Sequence, residues 1–465
     1  MRWLWLPMVA ACGVAACGND PAPSTTPLAS DGTHLRDAEG RIALLHGVNA
    51  RIAGVFDVTF DDGRTVLEPI PALADVDCQR MRALGFDFLR LPINWSGIEP
   101  AMGTYDDGYL TNVDAAVQCA ARAGIAVMID LHEDAYSKEI GEDGAPLWAI
   151  QPPPTALLQG PLDDLGSRRT SAQVTAAFDT FFDRADPAGV RARFLAVLDR
   201  VAARWADDPA VIGFELFNEP PVGDTLVTPF SLEAAARVRA AAPAKLVMFE
   251  PSATRNLFDF APKATAPFPT RDAVYAPHIY TFVFYSDQTQ MENLTPEALE
   301  PSVQSARAEA MAWNTPLLIG EYGVGPDQAN ADLWMGVQQQ LHDRYLASDA
   351  FWVWKEASQG AWGLYDHASD DTWTERPRIV AWVSRIHAAR IAGTVTANEY
   401  DYTTGALHLE THGGGVAHRI YIPERSATTF AATCGGTALA GTRDAATGLV
   451  DLSCDGALDV SPTPN

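Results

Sequence analysis

Short, predominantly apolar runs recur along the chain, separated by longer segments in which apolar positions return every three or four residues. The runs fall at 42–49, 86–92, 125–131, 211–217, 246–250, 274–278, 317–321 and 351–354. A parallel strand buried on both faces reads as a continuous apolar run rather than an alternation. The intervening segments have helical spacing. Residues 74–84 stop at Gly85, 112–123 stop at Gly124, and 187–206 form a long amphipathic stretch. Eight strands alternating with helices predict an α/β fold, a (β/α)8 TIM barrel, over residues 32–388. An open doubly wound sheet would need a glycine-rich phosphate loop after its first strand, and none is present. Residues 135–170 carry Gly, Pro and apolar residues without a period, the mark of a functional loop. Beyond Ile391 the pattern changes to strict alternation, as in Leu407-His408-Leu409-Glu410-Thr411, broken by glycine pairs. That predicts a small C-terminal all-β sandwich over 389–465.

Composition adds a compartment and removes some partners. Of 465 residues 47% are hydrophobic, enough for a large core, and 59 acidic against 33 basic residues give a net charge of −26. Such a balance argues against nucleic-acid binding. Met1-Arg2 and an apolar run to Ala16 form a leader too short to span a membrane. It ends in Val14-Ala15-Ala16-Cys17, which resembles a bacterial lipobox with Cys17 as the lipidated residue. Val9-Ala10-Ala11-Cys12 repeats the pattern closer to the start, and a plain signal peptide cut near Ala16 is the alternative. On this reading 1–17 is the leader, 18–31 a flexible tether, and the protein an exported monomer, surface-anchored, periplasmic or secreted. Cys78, Cys119, Cys434 and Cys454 remain, and four cysteines allow three pairings. Cys434–Cys454 is favoured because both lie in the C-terminal β region. Cys78–Cys119 fits if both sit on neighbouring barrel helices, and buried free thiols are the other reading. No CxxC or His-rich cluster calls for a metal, and no cofactor is expected.

Polar residues collect where the strands are predicted to end. Arg90 lies in the second strand. His132, Glu133 and Asp134 follow the third, Asn218-Glu219 the fourth and Glu250 the fifth. His278 and Tyr280 follow the sixth, and Glu321 and Trp354 end the last two. In a barrel of this kind that rim carries the chemistry. Retaining glycoside hydrolysis needs two carboxyl groups roughly 5–5.5 Å apart, one protonated and one ionised. Glu219, halted in place by Pro220, is the expected acid/base and Glu321 the expected nucleophile. Arg90 would keep Glu321 ionised, and Tyr322 or Tyr280 would hydrogen-bond it. Asn218 would bind the sugar 2-hydroxyl and Trp354 would stack on a sugar ring. Glu250 is the second-choice catalytic carboxylate. Asp130, Glu215 and Trp352 are expected to be structural.

Phe88-Leu89-Arg90, Phe217-Asn218-Glu219-Pro220, His278-Ile279-Tyr280, Ile319-Gly320-Glu321-Tyr322-Gly323 and Trp354 resemble glycoside hydrolase family 5 in order and spacing. Within it, Ile129-Asp130-Leu131-His132-Glu133-Asp134-Ala135-Tyr136-Ser137 is similar to the Asp-Met-His-Gln-Asp-x-(Tyr/Trp)-Ser pattern of endoglycoceramidases. So are Asn94-Trp95-Ser96-Gly97-Ile98-Glu99-Pro100 and Gly144-Ala145-Pro146-Leu147-Trp148-Ala149. The resemblance implies a retaining mechanism with Glu219 and Glu321. It also implies sugar contacts from His132, Asp134 and Asn218, and a glycosphingolipid substrate. Glu133 stands where that group has Gln, and 49–55 lacks an expected lysine. Apolar residues of 139–165 (Ile140, Leu147, Trp148, Ile150, Leu157, Leu158) and of 282–285 are candidates for an acyl-chain groove and, with the lipid anchor, for contact with a membrane. The rival expectations are a family 5 enzyme acting on a steryl glucoside or β-glucan, and a non-catalytic glycolipid-binding lipoprotein.

Overall fold

The apolar runs fold as the inner layer of the protein. A computed structural model describes residues 27–463 except 256–262, 264–266, 358–361, 370–371 and 427–429. The leader, Cys17 and the tether up to residue 26 lie outside the described residues. Eight parallel strands, buried throughout, form the barrel. They are β1 (His46–Asn49), β2 (Phe88–Ile93), β3 (Ala126–Leu131), β4 (Val211–Glu215), β5 (Leu246–Phe249), β6 (Ala273–Tyr275), β7 (Leu318–Tyr322) and β8 (Ser348–Phe351). Their order is β7-β8-β1-β2-β3-β4-β5-β6, and the bridges Tyr275↔Leu317 and Ile279↔Tyr322 close the ring between β6 and β7.

Helices cover the outside. Asp107–Arg122 begins earlier than its apolar period suggests because Asp106 caps it, accepting from the N–H groups of Gly108 and Tyr109. A disulfide joins Cys78 on the helix Asp75–Ala83 to Cys119 on that neighbouring helix, with Cα atoms 6.1 Å apart. Cys434 and Cys454 pair in the C-terminal domain. Among the described residues no helix is long and apolar enough to cross a membrane.

The C-terminal domain is a sandwich of two antiparallel sheets, and it borrows strands from the start of the chain. One sheet contains Thr394–Asp401, Ala406–His412, Gly456–Pro462, Phe430–Cys434 and Thr437–Leu439. The other lines up Ala29–Ser30, Leu35–Arg36 and Ile42–Ala43 beside His387–Ile391, His418–Tyr421 and Leu449–Leu452. The run 42–49 therefore serves two bodies. Ile42–Ala43 pairs with His387–Ile391, and His46–Asn49 pairs with β2 and β8. Tyr421 crosses the seam, and its hydroxyl donates to the Ala83 carbonyl at 2.7 Å. Gly85 makes the close approach possible, since a Cβ there would lie 2.7 Å from the Tyr421 ring, and its φ of +100° is one glycine adopts readily.

β4 is followed directly by an aromatic cluster. Phe217 has ring neighbours Phe181, Phe182, Phe194 and Phe230 at centroid distances of 5.2, 5.5, 5.4 and 5.6 Å. These rings lock the residue just before Asn218 and Glu219. Phe217→Ala should lower the unfolding free energy by about 3–5 kcal/mol, the usual cost of emptying such a site, read as a fall in the urea midpoint. A loss under about 1 kcal/mol would show that the cluster does not hold this segment.

Candidate active site

Arg90 projects from the middle of β2 into the barrel, with none of its side chain exposed. Its Nε donates to Glu215 Oε2 at 2.6 Å. Nη1 donates to Asn49 Oδ1 at 3.0 Å and to Glu321 Oε1 at 2.6 Å, and Nη2 donates to Asn218 Oδ1 at 2.8 Å. Asp130 Oδ2 lies 3.0 Å from Nη2. One planar cation thus ties together groups from β1, β2, β3, β4 and β7. Asn49 braces the other side, its amide donating to the carbonyls of Gly320 and Ala350.

Glu321 receives a second donor, the Tyr280 hydroxyl, at 2.8 Å. Tyr322 faces away, its ring 4.7 Å from that of His342. Burial raises the Glu321 pKa above the ordinary carboxylate value. His278 and Arg90 oppose that rise and the Glu219 charge adds to it.

Glu219 lies four residues beyond the end of β4, with φ of +42°, a left-handed backbone that a non-glycine residue holds only under constraint. The constraint is visible. Its N–H donates to Glu250 Oε1 at 3.1 Å, and Asn218 and Pro220 flank it, with the packed Phe217 one residue further back. His278 Nδ1 lies 2.9 Å from Glu219 Oε1 and 3.4 Å from Glu321 Oε2. One oxygen of Glu219, one of Glu321 and one His278 nitrogen all lie within 4.8 Å of one another.

Burial pushes the Glu219 pKa up, but the His278 hydrogen bond and charge, helped by Arg169 and His132, outweigh it and hold the carboxyl down at about 2. A proton donor needs the opposite direction, and the 2.9 Å contact from His278 Nδ1 is the interaction that chiefly holds the carboxyl down.

The other predicted positions divide. His132 follows β3, and its Nδ1 lies 2.6 Å from Asp130 Oδ2. Burial lowers its pKa, but Asp143 and Asp130 more than compensate and raise it to about 9. Asp134 is nearly buried and gripped by both Nε and Nη2 of Arg169. Glu250 has no exposed side-chain surface, so it backs the site instead of serving as the second-choice catalytic group. Burial, with Glu215 and Glu219 adding, raises its pKa well above the carboxylate range. Glu133 is likewise buried and raised well above that range by burial and by Asp143 and Asp130, so it is neutral and adds no charge beside the cleft.

Trp354 is a correction. Its indole is buried at 2% exposure and donates to Asp77 Oδ1 at 3.3 Å, behind the rim. The half-exposed ring beside the cleft is Trp352, parallel to His132 at 5.9 Å and 13°. β8 ends at Phe351, so the regular alternation that would make 352 and 354 equivalent has already stopped. Arg51 lies beneath Trp352, its guanidinium 5.6 Å from the ring and bonded to Glu68 and Glu356. The apolar loop positions also split. Ile140, Ile150, Phe282 and Val283 are core, whereas Leu147, Leu157 and Phe284 are exposed. Trp352, Arg169 and Asn49 had no local motif to mark them.

Among the described residues, two groups have metal-ligand geometry, Glu215 with Glu250 and His278, and Glu219 with His278 and Glu321. Arg90 lies against Glu215, Glu250 and Glu321 of these groups.

Glu321 acts as a nucleophile only when ionised, so activity is present above its raised pKa and lost as pH falls through it. The acid limb of kcat/KM should lie above the free glutamate value of about 4.3. Tyr280→Phe removes a hydrogen bond to the carboxylate and should move that limb to higher pH. A limb at or below the free value, or one unmoved by the substitution, would contradict this arrangement.

A family model described as cellulase (glycosyl hydrolase family 5) matches residues 69–358, more than half of the chain. Endoglycoceramidase I of Rhodococcus hoagii is 29% identical over 328 residues, covering 66% of this chain and 64% of that relative. This chain therefore matches a little under two thirds of that relative's length. Among solved structures, an endogalactoceramidase superposes with a TM-score of 0.77 at 24% identity, over 94% of this chain and all of that one. A ganglioside GM3 complex of endo-glycoceramidase II from Rhodococcus sp. superposes with a TM-score of 0.74 at 21% identity, over 93% and 100%. These likenesses share the barrel-plus-sandwich architecture.

Proposed function

The chain belongs to the cellulase family, glycosyl hydrolase family 5, and from that premise we propose that it is a retaining β-glycosidase cleaving the bond between glycan and ceramide in glycosphingolipids. The observation that carries the reading is the placement of Glu219 and Glu321, with carboxyl oxygens within 4.8 Å across the cleft. That bound, taken between one oxygen of each carboxyl, agrees with the roughly 5–5.5 Å of a retaining pair better than with the roughly 6.5–9.5 Å of an inverting one.

In the first step Glu321 attacks the anomeric carbon while Glu219 gives its proton to the departing glycosidic oxygen. The glycan is then esterified to Glu321 and the aglycone leaves as an alcohol. In the second step Glu219 takes a proton from water, and the resulting hydroxide displaces Glu321 with a second inversion. His278 keeps the Glu219 carboxyl in place through the 2.9 Å contact at Nδ1. Asn218, its Oδ1 occupied by Arg90, offers its amide NH2 to the sugar 2-hydroxyl. Trp352 gives the sugar an aromatic face.

The lipid side rests on two supports. The Rhodococcus hoagii relative is named an endoglycoceramidase. An aromatic wall also rises from the nucleophile, with Tyr280 bonded to Glu321, Phe284 5.0 Å from Tyr280, and Trp362 stacked on Phe284 at 5.1 Å and 10°. Phe284 is 48% exposed, and Leu147 and Leu157 are similarly exposed. Export, with a lipid on Cys17, is part of the same proposal, and two disulfides favour an oxidising compartment.

Labelled glycosphingolipids should yield intact glycan and ceramide, with the β-anomer released first by proton NMR. Glu321→Gln should lower kcat by at least about 10³-fold. Glu219→Ala should spare aryl glycosides with good leaving groups and recover with azide as a β-glycosyl azide. Cleavage of steryl glucosides or soluble β-glucans in place of glycosphingolipids would replace the substrate assignment. Binding without turnover of any β-glycoside would sink the enzymatic one.

A further inference from the structure

Asp134 lies three residues beyond β3, and both its oxygens are already engaged. Its backbone is fixed first. The Asp134 carbonyl accepts from the N–H groups of Glu142 and Asp143, and its own N–H donates to Asp143 Oδ1 at 3.3 Å. Ala135 and Tyr136 follow with φ of +52° and +73°, so the turn has little freedom. The side chain is then gripped by Arg169, whose Nε donates to Oδ1 at 2.8 Å and whose Nη2 donates to Oδ2. Arg169 ends the short helix Leu165–Arg169. Its neighbour Arg168 pins that helix to the loop by donating to the carbonyls of Gly141 and Gln159. The Arg169 side chain is 38% exposed.

We propose that Arg169 is a positioning residue of the cleft: its guanidinium fork fixes the Asp134 carboxylate for a bound sugar. A planar fork satisfies both carboxylate oxygens at once and sets their orientation, which a lysine cannot reproduce. The proposal rests on reading this cleft as the sugar site.

The test separates fork from charge. Arg169→Lys keeps the charge and loses the fork, and Arg169→Gln loses both. With an aryl β-lactoside as probe, both should raise KM by about tenfold, the value of hydrogen bonds to a charged group, with kcat much less affected. In an Asp134→Asn background neither substitution should raise KM further. Calorimetric titration of Glu321→Gln protein with lactose should show the same loss of affinity for both variants, and it needs no turnover. Failure of the unaltered protein to cleave any β-glycoside would count against the functional reading, while the lactose titration still judges Arg169. An unmoved KM, full retention of KM in Arg169→Lys, a full additional KM effect in Asp134→Asn protein, or a fall in kcat as large as the rise in KM would each overturn the proposal.

Discussion

A single buried guanidinium sets the terms for the rest of the molecule. Arg90 is surrounded by Asp130, Glu215 and Glu321 within 3.0 Å and by Glu250 at 3.7 Å, all at or near zero exposure. Carboxylates packed so densely would not stay ionised without a fixed cation, and an arginine left in a barrel without them would be equally costly. The arrangement is stable only as a whole, and it fixes where each strand can end. Asn49, Arg90, Asn218 and Glu321 reach one centre from four strands because the hydrogen bonds to Arg90 demand it.

That centre is polar, and the layer behind it is not. Phe217 sits among four other phenylalanines, and the next two residues are Asn218 and Glu219. Dense aromatic packing on one side and a charged network on the other hold the left-handed backbone of Glu219. Strain at one residue is affordable when both neighbours are immobile.

The barrel was readable in the sequence because parallel strands buried on both faces leave a plain signature, and the carboxylates were readable because they follow those runs directly. The errors have local causes. Residues 42–49 form one apolar run but serve two sheets, and nothing in a run shows where its hydrogen-bonding partner changes. Trp352 and Trp354 are two apart, and alternation gives no basis for choosing between them once β8 has ended at Phe351. Arg169 lies 35 residues from Asp134, in a stretch without a period, so only the folded chain brings the two together. Tyr280 and Tyr322 were equal candidates for Glu321, and the closing bridge between Ile279 and Tyr322 decides it by turning one ring outward from the cleft.

Glu133 shows why a residue's charge has to be derived and not read from its letter. It replaces the glutamine of the resembling proteins, and on paper that adds a negative charge next to Asp130, Asp134 and Asp143. In the fold it is 2% exposed, and burial together with Asp143 and Asp130 keeps it protonated. A protonated glutamic acid has one O–H donor and one carbonyl acceptor, nearly the inventory of a glutamine side chain. Asp143 is moved the same way, up to about 7, chiefly by burial, while His132 pulls it back. The cleft can therefore carry an acid-rich sequence without a matching field. The carboxylates that chemistry needs are set against fixed partners, Glu321 against Arg90 and Glu219 against His278.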